Sequence, residues 1–150
     1  MAEIYVSAEQ PIGAPADRVY QYIADHREHH PRFLPPNFHD FRVEQGGVGA
    51  GTVTTFKSTA AGRTRAFHMD VAEPEPGRVM TETDRNSSIV TTWTVTPDGQ
   101  RCRVRIETRW RGARGIGGFF ERLFAPRVLR KIYADELNRL DAYARAQATQ

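Results

Sequence analysis

The chain has 150 residues, 39% of them hydrophobic and 26% charged, with a formal charge of +3 at pH 7. That length suits one domain burying roughly 70% of its unfolded surface, and the balance excludes disordered and collagen-like classes. The basic residues are spread along the chain and nearly all are arginine, Lys57 and Lys131 being the exceptions, so without an accompanying motif nucleic acid is not an expected partner.

In chain order, Glu3 to Ile12 alternates, with Ile4, Val6, Ala8 and Ile12 on one side, as a half-buried strand should. Ala14-Pro15-Ala16-Asp17 is a helix entrance, with proline near the first helical position and an acid in the first turn; Val19, Tyr22 and Ile23 continue at helical spacing to Asp25. The segment from His26 to Pro36 predicts a second short helical turn and then a stop, because Pro31 interrupts any longer helix and Pro35-Pro36 ends the turn. Strands are expected over His39 to Gln45 and Thr52 to Thr59, joined through Gly46-Gly47-Val48-Gly49-Ala50-Gly51. That glycine run precedes a strand rather than a helix and has no P-loop lysine, so it reads as a turn between strands rather than a phosphate cradle.

Further strands are expected over Thr64 to Glu73, Arg78 to Asp84, Ser88 to Thr96 and Arg101 to Arg111, separated by Pro74-Glu75-Pro76-Gly77 and Pro97-Asp98-Gly99. The last is the cleanest: Cys102, Val104, Ile106, Thr108 and Trp110 alternate with a row of charges that keeps the outer face solvated. From Gly115 to about Arg145 the chain reads as one long amphipathic helix. Phe119, Phe120, Leu123 and Phe124 lie before Pro126; Val128, Leu129, Ile132, Tyr133, Leu137, Leu140, Tyr143 and Ala144 form a differently phased stripe after it, so Pro126 marks a kink or a division. Residues 146–150 should fray.

The order of strand, two short helices, six strands and one long helix predicts an α+β helix-grip fold, a curved seven-stranded antiparallel sheet wrapped around the C-terminal helix, as one domain over residues 1–150. The chain resembles the START-like (SRPBCC) superfamily, in its polyketide cyclase/dehydrase-like branch. The resemblance rests on Ile12-Gly13-Ala14-Pro15-Ala16-Asp17-Arg18-Val19-Tyr20, on Gly47-Val48-Gly49-Ala50-Gly51-Thr52, on Val71-Ala72-Glu73-Pro74-Glu75-Pro76-Gly77-Arg78 and on Trp93-Thr94-Val95-Thr96-Pro97-Asp98-Gly99. Where related chains often carry tryptophans after the first helix, this one has His29, His30 and Phe33, which would make a cavity mouth more polar.

The resemblance implies an internal cavity for a hydrophobic or amphipathic small molecule, lipid- or polyketide-like; no cofactor and no metal are expected. The alternatives are a cyclase/dehydrase-type enzyme and a partner-binding module with a closed cavity. Positions that would line such a cavity are Tyr22, Phe33, Phe67, Met69, Trp93, Val104, Ile106, Thr108, Trp110, Phe124, Val128, Ile132, Tyr133 and Leu140.

Glu136 interrupts the apolar stripe of the long helix and is the candidate general acid or base, with His30 as a second candidate; the competing reading pairs Glu136 with an inward arginine, Arg65 or Arg85. His26, His29 and His30 have helical spacing that suits two metal ligands, but Pro31 comes at once and no third ligand is near. Surface histidines are therefore the expected reading there. Cys102, facing inward, is expected to pack rather than react. No apolar run has the length of a membrane span, residues 1–10 lack the form of a signal peptide, and the cysteine is single, so a cytoplasmic monomer or homodimer without membrane insertion is expected.

Overall fold

The computed structural model describes residues 3–111 and 126–148. Strand β1 (Glu3–Ile12) is followed by helix α1 (Ala16–Ala24) and a 3-10 turn (His30–Phe33), which are the two short helical pieces expected. Strands β2 (Phe38–Gln45), β3 (Val53–Ala60), β4 (Arg63–Glu75), β5 (Val79–Asp84), β6 (Val90–Asp98) and β7 (Arg101–Arg111) precede helix α2 (Pro126–Ala148). They form one seven-stranded sheet in the order β1-β7-β6-β5-β4-β3-β2, and every neighbouring pair is antiparallel. This is the helix-grip architecture.

Register follows the alternation. β7 buries Cys102, Val104, Ile106, Thr108 and Trp110 and exposes the arginines between them, and it pairs with β1 from Ile4↔Trp110 to Ile12↔Cys102, so Val6 and Ile12 join the same face. A one-residue slip would put that whole set into water. At the far edge β2 is less regular: the register shifts between His39 and Arg42, where Asp40 has a φ of 54°, and the bulge bends the strand.

Helix α2 packs chiefly on β1 and buries Leu129, Tyr133, Glu136, Leu137, Leu140 and Ala144. Asp141 holds it to the start of α1 by accepting the Gly13 N–H at 2.8 Å. The helix continues past Arg145 to Ala148. Phe119, Phe120, Leu123, Phe124 and the question of a kink at Pro126 lie outside the described residues. Cys102 is buried and its thiol is pushed up to about 11 by burial and the neighbouring Asp141 charge, so it packs as a small apolar group. No described helix is long and apolar enough to cross a membrane.

The glycine run between β2 and β3 is docked against the end of α1. His26 N–H donates to the Gly47 carbonyl at 2.7 Å, Gly49 N–H to the Ala24 carbonyl at 3.0 Å, and the Arg27 guanidinium donates to the Gly46 carbonyl at 2.6 and 3.0 Å. Glu73 completes the clasp by accepting from the Ala50 N–H at 2.7 Å and the Tyr20 hydroxyl at 2.6 Å. A Cβ on Gly49 would stand 2.3 Å from Glu73 Oε1, at a φ of +68°, whereas one on Gly51, at +88°, would meet nothing within 4 Å. Gly51→Ala should therefore cost only its backbone strain, about 1 kcal/mol, and Gly49→Ala about 2–4 kcal/mol because the clasp is also displaced. Urea denaturation checks this; equal losses in the two variants would deny the clasp a stabilising role.

Candidate functional site

Between the concave face of the sheet and α2 lies a cavity of about 60 Å³. Its apolar wall comes from Phe67 and Met69 of β4, Ile89, Trp93 of β6, Ile106 and Trp110 of β7, and Leu129 of α2, with Leu34, Phe38, Phe41 and Phe56 at the β2–β3 side. Its polar groups are His30, Glu82, Thr91, Thr108, Tyr133 and Glu136. Both candidates named for chemistry, Glu136 and His30, thus face one space together with Phe67, Met69, Trp93, Ile106, Thr108, Trp110 and Tyr133. Tyr22, Phe33, Val104, Val128, Ile132 and Leu140 are not part of the wall. Val104 and Leu140 pack in the core, Val128 and Ile132 are half-buried on α2, and the Phe33 ring packs tilted against His30 at 4.8 Å. Tyr22 packs on His29 and Tyr143 at 4.9 and 5.4 Å. Phe124 lies outside the described residues.

The histidine segment departs most from expectation. His26 is 0% and His30 3% exposed, not on the surface. Their rings stack at 4.7 Å, and each points Nδ1 at a backbone carbonyl, His26 at Ala24 O (2.9 Å) and His30 at Ile23 O (2.6 Å). A carbonyl only accepts, so both rings carry their hydrogen on Nδ1 and present Nε2 as a bare lone pair. That of His26 has no partner among the described residues. Burial drives both imidazoles down to about 4, with the charge of the neighbouring His30 as a further cause at His26. His29 is separate: its Nδ1 meets the Tyr143 hydroxyl at 2.6 Å. The three rings thus pack rather than converge, and among the described residues no cluster suits a metal ion.

Glu136 is 3% exposed and its nearest opposite charge is conditional: His30 Nε2 stands 3.9 Å from Oε2, and that ring is neutral. Neither arginine considered as its partner reaches it. Arg85 is bound to Asp70 on the outer face at 2.8 Å, and Arg65 lies over the Phe67 ring with Asp84 as its neighbouring charge. Desolvation therefore holds the Glu136 carboxyl well above the usual carboxylate range, and the negative charges of Glu82 and Asp135 push the same way. The Glu136 carboxyl and an imidazole lone pair face one another across a gap slightly too wide for a direct hydrogen bond.

Glu82 is a site residue that sequence reasoning misses. It reaches in from β5, where Oε1 accepts the Trp93 indole N–H at 2.7 Å. A signal for it exists in outline: Met80, Glu82 and Asp84 share a strand face, and Met80 marks that face as inner. Opposite it, the hydroxyls of Thr91, Thr108 and Tyr133 are joined in a chain, Thr91 to Thr108 at 2.7 Å and Thr108 to Tyr133 by a short contact. Burial raises the Tyr133 phenol, so it stays protonated. The Trp110 indole N–H is buried without a partner among the described residues.

These groups set opposite pH slopes. An imidazole that titrates near 6.5 when unfolded and near 4 when folded binds its proton more readily in the unfolded chain, so stability falls as pH drops through that window, by roughly 3 kcal/mol per ring at most. Glu136 does the reverse: its folded value lies above 4.5, so stability falls as pH rises above 4.5. Glu136→Gln should therefore raise the melting temperature more at about pH 8 than at about pH 5; an equal shift at both would show that the carboxyl is not desolvated.

The family model described as polyketide cyclase/dehydrase and lipid transport matches residues 3–145. The chain is similar to the KanY protein solved in solution, at 35% identity over 97% of this chain and 99% of that one, with a TM-score of 0.84. In fold it also matches a protein from Thermus thermophilus (21% identity, 96% and 99% covered, TM-score 0.78). The Zhui aromatase/cyclase from Streptomyces sp. R1128 is a further match in fold (19% identity, 98% and 96% covered, TM-score 0.76). No curated protein sequence matches the chain. With a seven-stranded helix-grip sheet and a family match over nearly its whole length, the chain belongs to the polyketide cyclase/dehydrase and lipid transport family.

Proposed function

We propose that this protein binds a hydrophobic or amphipathic small molecule in the space between sheet and C-terminal helix. The observation that carries the reading is the cavity wall itself, rich in aromatic rings, with a few buried polar groups aimed into it. Membership of a family that includes lipid transport supports it. At about 60 Å³ the space has room for about four waters, against about 150 Å³ for an apolar cavity that holds benzene. A ligand therefore enters by moving side chains, and the half-buried Leu34, Phe38, Phe41 and Phe56 are those with room to move. Native mass spectrometry of the purified protein should show a retained hydrophobic compound. Ile106→Phe, which fills the space at a packing cost of about 1–3 kcal/mol, should abolish that signal; retention of the compound by a folded variant would place the site elsewhere.

A second reading is favoured by one arrangement, the Glu136 carboxyl, raised above its ordinary value by burial, facing the His30 lone pair at 3.9 Å. A carbonyl compound beside them could receive a proton on oxygen from Glu136 while His30 Nε2 removes a proton from the adjacent carbon, giving an enol; as that enol adds to a second carbonyl of the same molecule in an aldol-type ring closure, its O–H proton returns to Glu136 and His30 gives its proton to the new alkoxide. His30 offers a free lone pair for the basic role because it is neutral at physiological pH. On a ketone substrate, Glu136→Gln and His30→Phe should each lower kcat by about 100-fold or more with KM changed little; unchanged turnover in either variant removes that residue from the mechanism.

A further inference from the structure

The ionisable side chains lining the cavity are His30, Glu82, Tyr133 and Glu136; no lysine or arginine is among the described lining residues. His30 is neutral and Tyr133 protonated, so neither supplies a positive charge. Arg65, with its guanidinium 6.0 Å from the Phe67 ring centroid, is not part of the wall and has the opposing charge of Asp84 beside it. Among the described lining residues, the space therefore holds two carboxyl groups with no cation to match them.

Glu82 is 8% exposed, and one oxygen is occupied by the Trp93 indole N–H. Its other oxygen accepts no hydrogen bond among the described residues. The aromatic rings of Trp93, Trp110 and Tyr133 line the same space. A ring face attracts a cation, and a desolvated carboxylate does so more strongly. A ligand carboxylate would instead be a third acidic group in a buried space that screens charge poorly.

On the reading of this cavity as a ligand pocket, we propose that it selects by charge. It takes hydrophobic amines, whose ammonium group lies against Glu82 and Glu136 within the tryptophan and tyrosine rings; it accepts neutral alcohols less well and rejects carboxylates such as fatty acids. Binding of the ammonium favours the ionised form of Glu136, whose proton passes to solvent. Selectivity thus rests on side chains of β5 and α2, while the apolar body of the ligand contacts β4, β6 and β7.

The test uses one ligand shape with three charges: 2-phenylethylamine, 2-phenylethanol and phenylacetate at neutral pH. The chain has two tryptophans, and both line the cavity, so their indole N–H signals in a nitrogen-15 spectrum report occupancy directly. The amine should bind about tenfold or more tighter than the alcohol, with phenylacetate weakest. Glu82→Gln and, independently, Glu136→Gln should each cut the ratio of amine to alcohol affinity by about threefold or more; a ratio unchanged in both variants overturns the assignment to these carboxyls. An alcohol that binds as tightly as the amine, or phenylacetate binding as well as either, overturns charge selection and leaves the ligand pocket standing. Failure of all three compounds to shift either indole signal overturns the pocket reading as well.

Discussion

One helix cannot cover this sheet. A helix with its side chains is about 10 Å across, whereas strands spaced about 4.8 Å apart make a seven-stranded sheet about 30 Å wide. Helix α2 takes its heaviest contacts on β1, and the concave face of β4, β5 and β6 must be filled by other means. The chain fills it with large aromatic side chains from the sheet and with the 3-10 turn, which brings His30 in from the side. The cavity is what this filling leaves over. Its position depends on strand order and helix width, and the identity of the few groups that enter it decides what the protein can do.

Those groups are held at a cost. Glu136, Glu82, His26 and His30 occupy space where leucine or phenylalanine would stabilise the fold, and a buried carboxyl without a cation is among the more unfavourable things a core can contain. The surrounding structure over-determines them: Trp93 binds Glu82, carbonyls of α1 fix both imidazoles, and the glycine clasp fixes the end of α1. Such retention of unfavourable groups is the usual mark of a site where function opposes stability.

How much of this is legible in the chain depends on the range of the interaction. β7 can be read residue by residue, since alternation is a local consequence of the pleat and its two faces differ so sharply. The inward direction of Glu136 is also legible, because helical phase needs only its near neighbours. The burial of His26 and His30 is not. Their segment looks like a polar, proline-broken turn, and it becomes interior only because the glycine run, some twenty residues downstream, closes over the end of α1 through Gly46, Gly47 and Gly49. Two of the wall residues misplaced from the sequence, Val104 and Leu140, have the right burial but the wrong place along their elements, β7 and α2. Period-two alternation says which face a residue occupies and nothing about where α2 crosses that face.

The lone cysteine offers a different kind of consequence. Cys102 sits where β7, β1 and the Asp141 region of α2 come together, with a thiol too protonated and too enclosed to meet a reagent in the folded state. It can be alkylated only after the helix and the β1 edge have parted, which makes the protein carry its own clock. The rate at which that sulfur is modified counts openings of the seam between helix and sheet, the motion that any guest entering from that side would have to wait for.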